Sequence, residues 1–231
     1  MVFSRRRSET APEPVPWVEA ERFVVSTAER ETAALRKPVV GPLAVRVPKP
    51  VAGVSHFHPA ALITQPDPQA RAYLLHEARD PDRLVCSIEP VDDERFRVLT
   101  PGRRELGQVY RTPQAKRAIQ HAWCVRQPGH PAVVARYHWA KGSPKDILER
   151  GKDAARRETG RLADSVMSLG LAEGGDQHNP RRAAKPVLWR ADDEVVLEAR
   201  VSDGEWTYTP KAPWLDHRLA HAMALLRHRK A

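Results

Sequence analysis

Cysteine is scarce in this chain: Cys86 and Cys124 are the two present, and they lie in separate apolar stretches. Two isolated cysteines supply neither a disulfide framework nor the ligand set of a zinc knuckle. They are typical of small buried hydrophobic side chains in a reducing compartment. The cysteine content therefore predicts an intracellular protein without structural disulfides.

Long hydrophobic runs are also missing. No stretch of the sequence approaches the roughly 20 apolar residues that a membrane-spanning helix needs. The arginines at positions 5–7 could begin an export signal, but no apolar region follows them. We therefore predict a cytoplasmic protein, with peripheral association at the inner membrane as the alternative to a freely dissolved one.

The motifs of common catalytic sites do not occur either. The sequence contains no GxSxG nucleophile elbow, no phosphate-binding P-loop and no GxGxxG dinucleotide signature. His217 and His221 are spaced one helical turn apart, as in a zinc site, but Arg218 stands where the zincin motif has its catalytic glutamate. This favours a polar helix face over a metal site. We therefore predict no catalytic residue, no bound metal and no cofactor.

Positive charge is abundant. Lysine and arginine number 38 against 29 acidic residues, for a formal net charge of +9. Such an excess favours phosphate-bearing partners, either nucleic acid or an anionic membrane surface. The alternative is a compositional bias without a binding role, because arginine, alanine and proline are all common in this sequence. The candidate anion-binding residues are Arg103, Arg104, Arg157, Arg161, Arg181 and Arg182.

The N-terminal quarter is rich in proline, which removes backbone donors and blocks regular structure. We predict a disordered Pro-rich arm over residues 1–54 and a single domain over residues 55–231. Two alternatives remain open inside the arm. A short helix could form around Val18–Leu35, and the segment PVVGPLAVRVPKP could lie along the domain as an extended strand.

From Leu84 onward the pattern changes to short alternating runs separated by turn residues, which is typical of antiparallel strands. Pro101–Gly102 and Asp203–Gly204 are strong turn signals between such runs. A charged helical insertion is predicted over 142–180, and a second helix over Trp214–His228. The predicted strands are Leu84–Glu89, Arg95–Thr100, Glu105–Arg111, Ala122–Gln127, Ala132–Trp139, Pro186–Arg190, Val195–Val201 and Glu205–Thr209.

An internal similarity links the two halves of this region at an offset of 100 residues. Asp92–Glu94 aligns with Asp192–Glu194. Each copy has the order strand, acidic turn, strand, glycine-containing turn and strand. We interpret this as a duplicated antiparallel β-meander, which suits a barrel-like sheet with few unpaired edges. The predicted fold class is therefore α+β and mainly β, with the sheet around or against the C-terminal helix and with a helical insertion.

The segments RFRVLTPGRRELGQVYR and PWLDHRLAHAMALL resemble the tubby C-terminal-like superfamily, which includes the LURP-one-related and phospholipid-scramblase-like proteins. The resemblance covers the chain from about residue 55 to residue 231. It implies a duplicated barrel of about twelve strands around a central C-terminal helix, and association with anionic lipid. The positions that carry it are Gly102, Gly107, Trp123, Asp216 and Leu219.

Together these patterns predict a non-enzymatic binding or scaffold domain that associates with anionic lipid or with a protein partner. A nucleic-acid-associated accessory protein is the alternative, and charge alone motivates it. An enzyme of unknown class is the least favoured of the three, because no catalytic motif supports it.

Overall fold

Twelve antiparallel strands form one sheet in the computed structural model, which describes residues 11–30, 39–51, 54–113, 123–135, 186–202 and 205–229. A short 3-10 turn at Trp17–Glu19 precedes the first strand, and an α-helix follows the last. The strands are β1 (Phe23–Arg30), β2 (Val39–Val51), β3 (Val54–Thr64), β4 (Tyr73–Glu77), β5 (Leu84–Pro90), β6 (Arg95–Leu99), β7 (Glu105–Arg111), β8 (Trp123–Arg126), β9 (Val134–Ala135), β10 (Val187–Ala191), β11 (Glu194–Ser202) and β12 (Glu205–Pro210), and the helix is α1 (His217–His228).

The sheet is a nearly closed barrel built as a meander. Strands β1 to β8 pair in sequence order, strands β9 to β12 do the same, and β1 also pairs with β12. The remaining gap lies between β8 and β9, where Val125 and Val133 exchange two backbone hydrogen bonds of 3.0 and 2.8 Å. Because this bridge joins the two ends of the strand order, the barrel avoids most of the unpaired edge that an open sheet would expose.

Helix α1 occupies the interior of this barrel. All residues of Leu219–Arg227 are buried, and the helix contacts β1, β5, β6, β7, β8 and β12. A helix that is buried on every side needs apolar or small side chains all round. Three alanines at positions 220, 222 and 224 meet this need. No helix in the described part of the chain has the length and apolarity to cross a bilayer.

Large aromatic side chains fill the space between the helix and the sheet. Trp123 and Trp189 are each 1% exposed, and the Trp189 indole N–H donates to the Trp123 carbonyl oxygen at 2.9 Å. This hydrogen bond links β10 to β8 across the narrow seam of the barrel. Phe23 stacks on Tyr208 with ring centroids 5.5 Å apart. The inward-facing strand residues therefore form one continuous core with the helix.

Each strand predicted from Leu84 onward is present within the described residues, and so is the C-terminal helix. The strand predicted over Ala132–Trp139 is described at Val134–Ala135, while residues 136–139, Ala122 and the predicted turn Asp203–Gly204 lie outside the described part of the chain. The fold class, mainly β with the sheet around the helix, is confirmed. The internal duplication is not shown. Asp92 accepts hydrogen bonds from the backbone N–H groups of Glu94 and Arg95, both at 2.8 Å, whereas Asp192 adopts a positive φ of 51°. The two acidic turns therefore connect their strands through different local structures.

The N-terminal region differs from its prediction. Strands β1 and β2 lie inside the segment predicted as a disordered arm, residues 1–54. The alternative helix around Val18–Leu35 is also wrong where the chain is described, because Phe23–Arg30 is a strand. Phe23 and Val25 alternate into the core, and their burial outweighs the helix propensity of the residues that follow. The extended-strand alternative for the second proline-rich stretch is confirmed as β2.

Buried Arg46 explains how a strand with three prolines sits inside the sheet. Its side chain is fully buried, and the guanidinium donates to the carbonyl oxygens of Ser26 at 3.1 Å, Phe57 at 3.1 Å and Pro42 at 2.8 Å. Phe57 is opposed to Pro48, which has no N–H to donate. Arg46 thus supplies donors to β1, β2 and β3 where prolines and register shifts interrupt the ladder.

Gly107 marks a close approach between the helix and the sheet. A Cβ atom at this position would lie 2.3 Å from the Arg126 carbonyl oxygen and 3.1 Å from a Leu219 methyl group. Glycine therefore lets β7 pack against β8 and the helix at the same point. Gly102, in the β6–β7 turn, has no such constraint, since the nearest atom to its Cβ position is Thr100 Oγ1 at 3.9 Å.

We expect Gly107→Ala to lower the free energy of unfolding by about 1–3 kcal/mol, because the added methyl group overpacks a site bounded by backbone. Gly102→Ala is the matched control and should change stability by less than about 0.5 kcal/mol. Urea unfolding of the two variants measures the difference. Equal free energies of unfolding for the two variants would show that β7 is not closely packed against helix α1 at Gly107.

Arg46→Met keeps an apolar stem of similar length but leaves three carbonyl groups without their donor. We expect this variant to lose about 3 kcal/mol or more of unfolding free energy, because buried acceptors without a partner are costly. The control is Arg22→Met, which removes the same charge from an exposed position. An equal decrease of the thermal unfolding midpoint in both variants would mean that loss of the charge, and not loss of the buried hydrogen bonds, destabilises the protein.

Candidate anion-binding face

The turn between β6 and β7 presents two of the arginines that the sequence singled out. Arg103 and Arg104 are both exposed and end a turn that begins at Thr100. The Thr100 carbonyl oxygen accepts from the Arg103 N–H at 2.9 Å, and the Thr100 hydroxyl oxygen accepts from the Arg104 N–H at 3.1 Å. These bonds fix the backbone from which both side chains leave the barrel.

The Arg103 side chain is engaged by Glu89 on β5. Arg103 Nη2 lies 3.3 Å from Glu89 Oε2, and Arg103 Nη1 contacts Oε1. Arg97 on β6 donates to the same carboxylate, with Nη2 3.1 Å from Oε2. Partial burial alone raises the pKa of Glu89, but the hydrogen bonds from Arg103 and Arg97 outweigh it, so the pKa lies below its ordinary value. Glu89 is therefore ionised at neutral pH and shared by two guanidinium groups.

These side chains belong to a row that crosses four strands. The register opposes Glu89 to Arg97 and Arg97 to Gln108. It also opposes Gln108 to Arg126 on β8. Directly opposed residues in an antiparallel sheet point to the same face, so Arg97 and Arg126 lie together on the outside of the barrel. Glu105 joins the row by accepting a 3.0 Å hydrogen bond from the Gln108 amide.

We call this surface the arginine face and define it by Arg97 and Arg126 on the strands and by the exposed Arg103 and Arg104 in the adjoining turn. Its four arginines outnumber the two carboxylates of the row, so the surface carries net positive charge. Arg104 and Arg126 are exposed, and within the described ranges neither of them forms an ion pair. The arrangement can therefore attract an anion from solvent.

Sequence reasoning found part of this face. It selected Arg103 and Arg104, and it missed Arg97 and Arg126. Alternation along β6 indicates that Arg97 points outward, but nothing near Arg126 in sequence indicates its alignment with Arg97 across β7. The other predicted anion-binding residues and the predicted helical insertion lie outside the described residues: Arg157, Arg161, Arg181, Arg182 and the segment 142–180.

A second cluster of charged groups lies where helix α1 begins. Asp216 accepts the Arg218 backbone N–H at 2.9 Å and the Arg218 guanidinium at 2.9 and 2.6 Å. Burial raises the pKa of Asp216, but the hydrogen bonds from Arg218 outweigh it and leave the pKa below its ordinary value. The Gln127 amide donates to the Trp214 carbonyl oxygen at 2.6 Å and accepts from the Asp216 N–H at 2.9 Å. Because these groups satisfy one another, the cluster fixes the entry of the helix into the barrel.

His221 departs from its sequence prediction. The pattern favoured a polar helix face for His217 and His221, and this is wrong for His221, which is fully buried inside the barrel. Its ring packs edge-on against the Phe23 ring, with the ring centroids 4.5 Å apart. Neither ring nitrogen has a hydrogen-bond partner among the described residues. Burial lowers the pKa of His221 to about 3, with a smaller contribution from His217. The imidazole is therefore neutral at physiological pH and packs as part of the core.

Metal-ligating groups do not cluster in the part of the chain that the structure describes, where no set of three or more His, Cys, Asp or Glu side chains could hold an ion. The cysteines are buried as the sequence predicted, at 0% exposure for Cys86 and 1% for Cys124. Burial raises the pKa of Cys86 to about 12, which keeps its thiol protonated and unreactive at neutral pH.

Comparison with known proteins supplies no relative: no protein-family model, no curated protein and no solved structure matches this chain.

Burial of His221 predicts a loss of stability in acid. The pKa is about 3 in the folded protein against an ordinary value of 6.5, so the unfolded state binds the extra proton between these values. As far as His221 is concerned, the free energy of unfolding has its full value above about pH 6.5. It decreases as the pH falls below this value, by up to about 1.4 kcal/mol per pH unit. We expect His221→Met to flatten this slope in urea unfolding measured at a series of pH values. His217→Gln, one turn earlier on the helix, is the control, and an equal flattening in both variants would contradict the assignment to His221.

Proposed function

We propose that this chain is a non-catalytic binding domain of the tubby C-terminal-like kind, and that its arginine face binds the anionic headgroups of membrane lipids. The observation that carries the lipid proposal is the arginine face itself, which spans neighbouring strands on the outside of a barrel whose interior a helix fills. The corresponding location is the cytoplasm, with peripheral association at the inner membrane surface.

Two features support the superfamily proposal. The sheet has twelve strands and encloses a C-terminal helix, as the resemblance implies. Four of the five residues that carry the resemblance lie in the helix, at its cap or in the core around it, whereas Gly102 lies in the exposed β6–β7 turn. Gly107 lies against Leu219, and Asp216 caps the helix. Trp123 is buried in the core that the helix shares with the sheet. Common packing positions of this kind are expected for a common fold.

The filled interior favours the outer surface as the binding site. Helix α1 and large inward-facing side chains occupy the space in which hollow barrels hold their ligands. At the helix entry, Asp216 and Arg218 satisfy each other. Arg104 and Arg126, by contrast, are exposed and make no ion pair within the described ranges, so their guanidinium groups are available to phosphate.

Electrostatics support an anionic surface as the partner. A basic residue close to an anionic membrane contributes about 1 kcal/mol, so four arginines opposed by two carboxylates retain an attraction of about 2 kcal/mol. Guanidinium groups also suit the oxygens of phosphate, because they can donate two parallel hydrogen bonds. Binding of this strength is reversible and weakens as salt screens the charges.

Vesicle sedimentation tests the proposal. We expect the protein to bind phosphatidylcholine vesicles that contain phosphatidylserine, and not vesicles of phosphatidylcholine alone, with binding that declines as salt rises. Arg104→Gln combined with Arg126→Gln removes two positive charges from the face and should weaken binding about tenfold or more. The control, Arg22→Gln combined with Lys49→Gln, removes the same charge from the region of β1 and β2 and should weaken binding less.

Equal binding to both vesicle types would contradict the lipid proposal, and equal losses in the two double variants would put the binding surface elsewhere. The nucleic-acid alternative predicts retention of DNA or RNA in filter binding, with a steep dependence on salt. If the protein retains DNA or RNA and binds anionic and neutral vesicles equally, the nucleic-acid function is favoured over the lipid proposal.

A further inference from the structure

We infer that Glu89 is an intramolecular anion that occupies the arginine face and limits its affinity for external anions. This inference rests on the proposed lipid-binding role of the face and concerns its regulation. The Glu89 carboxylate takes the place between Arg97 and Arg103 that two oxygens of a phosphate group would need.

The geometry follows from strand register and from the β6–β7 turn. Arg97 is directly opposed to Glu89 on the neighbouring strand, while Arg103 reaches the same carboxylate from the turn. Glu89 Oε2 accepts from both guanidinium groups, at 3.1 and 3.3 Å, and Oε1 contacts Arg103. Arg103 therefore meets the carboxylate with two nitrogens, which is the bidentate arrangement that a guanidinium also offers to phosphate.

An internal carboxylate competes strongly because the chain tethers it beside the arginines. The effective concentration of a group on a short tether is of millimolar order, so an external anion must either displace Glu89 or bind through Arg104 and Arg126 alone. The Glu89 side chain is 20% exposed, which means that it lies against the sheet and does not extend into solvent. Displacement is therefore a change of partner for two arginines on a surface that is already formed.

A purely structural ion pair makes a different prediction. Exposed ion pairs typically contribute about 0–1 kcal/mol to stability, so Glu89→Gln should fold under either hypothesis. If the pair only stabilises the sheet, loss of Glu89 changes anion binding by the effect of one charge. If Glu89 competes with the ligand, its loss removes one charge and also frees two guanidinium groups.

Glu89→Gln and Glu105→Gln separate these effects, because each removes one negative charge from the same surface. Glu105 accepts a hydrogen bond from Gln108 and pairs with no arginine among the described residues. We expect Glu105→Gln to strengthen binding to phosphatidylserine-containing vesicles about fivefold, the effect of a single charge. Glu89→Gln should strengthen it by at least about a further threefold, since the tethered competitor is gone.

Equal strengthening by the two variants overturns the inference, and thermal unfolding establishes that both are folded. Failure of the proposed function has its own signature, because the wild-type protein then shows no preference for anionic vesicles. If Glu89→Gln shows none either, the inference fails with it. If Glu89→Gln alone acquires the preference, the inference stands and the wild-type face is closed by its own carboxylate.

A measurement on the unmodified protein provides a second test. The Nε–Hε signals of the arginines can be followed by nuclear magnetic resonance during titration with soluble dihexanoyl phosphatidylserine. Displacement of Glu89 shifts the signals of Arg97 and Arg103 together with those of Arg104 and Arg126. Shifts confined to Arg104 and Arg126 would show that Glu89 stays in place, and would overturn the inference.

Discussion

Enclosure of helix α1 by the sheet is the constraint on which the rest of the structure depends. Full burial of a Leu or Met side chain contributes about 1.5–3 kcal/mol, and Leu219, Met223, Leu225 and Leu226 all project from the helix into the shared core. The backbone groups of a helix satisfy one another, so the segment can cross an apolar interior without strand partners. Two polar side chains interrupt this apolar surface. Burial keeps the His221 imidazole neutral, and the Arg227 guanidinium lies over the rings of Trp206 and Trp189.

The same constraint decides where charged chemistry is found. With the helix inside, most charged side chains of the described residues lie on the outer surface, and the buried exceptions include Arg46 and Arg227. Asp216 and Arg218 at the helix entry neutralise each other and hold the helix in position. On the arginine face, Glu89 engages two of the four arginines and leaves the others exposed. A broad, partly neutralised surface of this kind suits reversible association with an extended anionic partner better than capture of a small ligand.

The strands after Leu84 were predictable because their signals are local. Alternation and turn residues such as Pro101–Gly102 mark each strand without reference to the others. Of the strands before Leu84, β1 was missed, and β2 entered as an alternative to the disordered arm because its prolines argue against an interior position in a sheet. Arg46 resolves this conflict by donating to carbonyl groups of three strands, and two of those groups are distant in sequence. Strand β4 was also missed, although Tyr73, Leu75 and Glu77 alternate into buried positions.

Spacing along the chain by itself determined the inward and outward sides of the later strands, the C-terminal helix, and the adjacent arginines of the β6–β7 turn. Tertiary structure decided the register, and with it the meeting of Glu89, Arg97 and Arg126 on one surface and the burial of His221. The reason is physical. The two-residue period of a strand is a property of its own backbone, whereas register and enclosure depend on contacts between segments far apart in sequence.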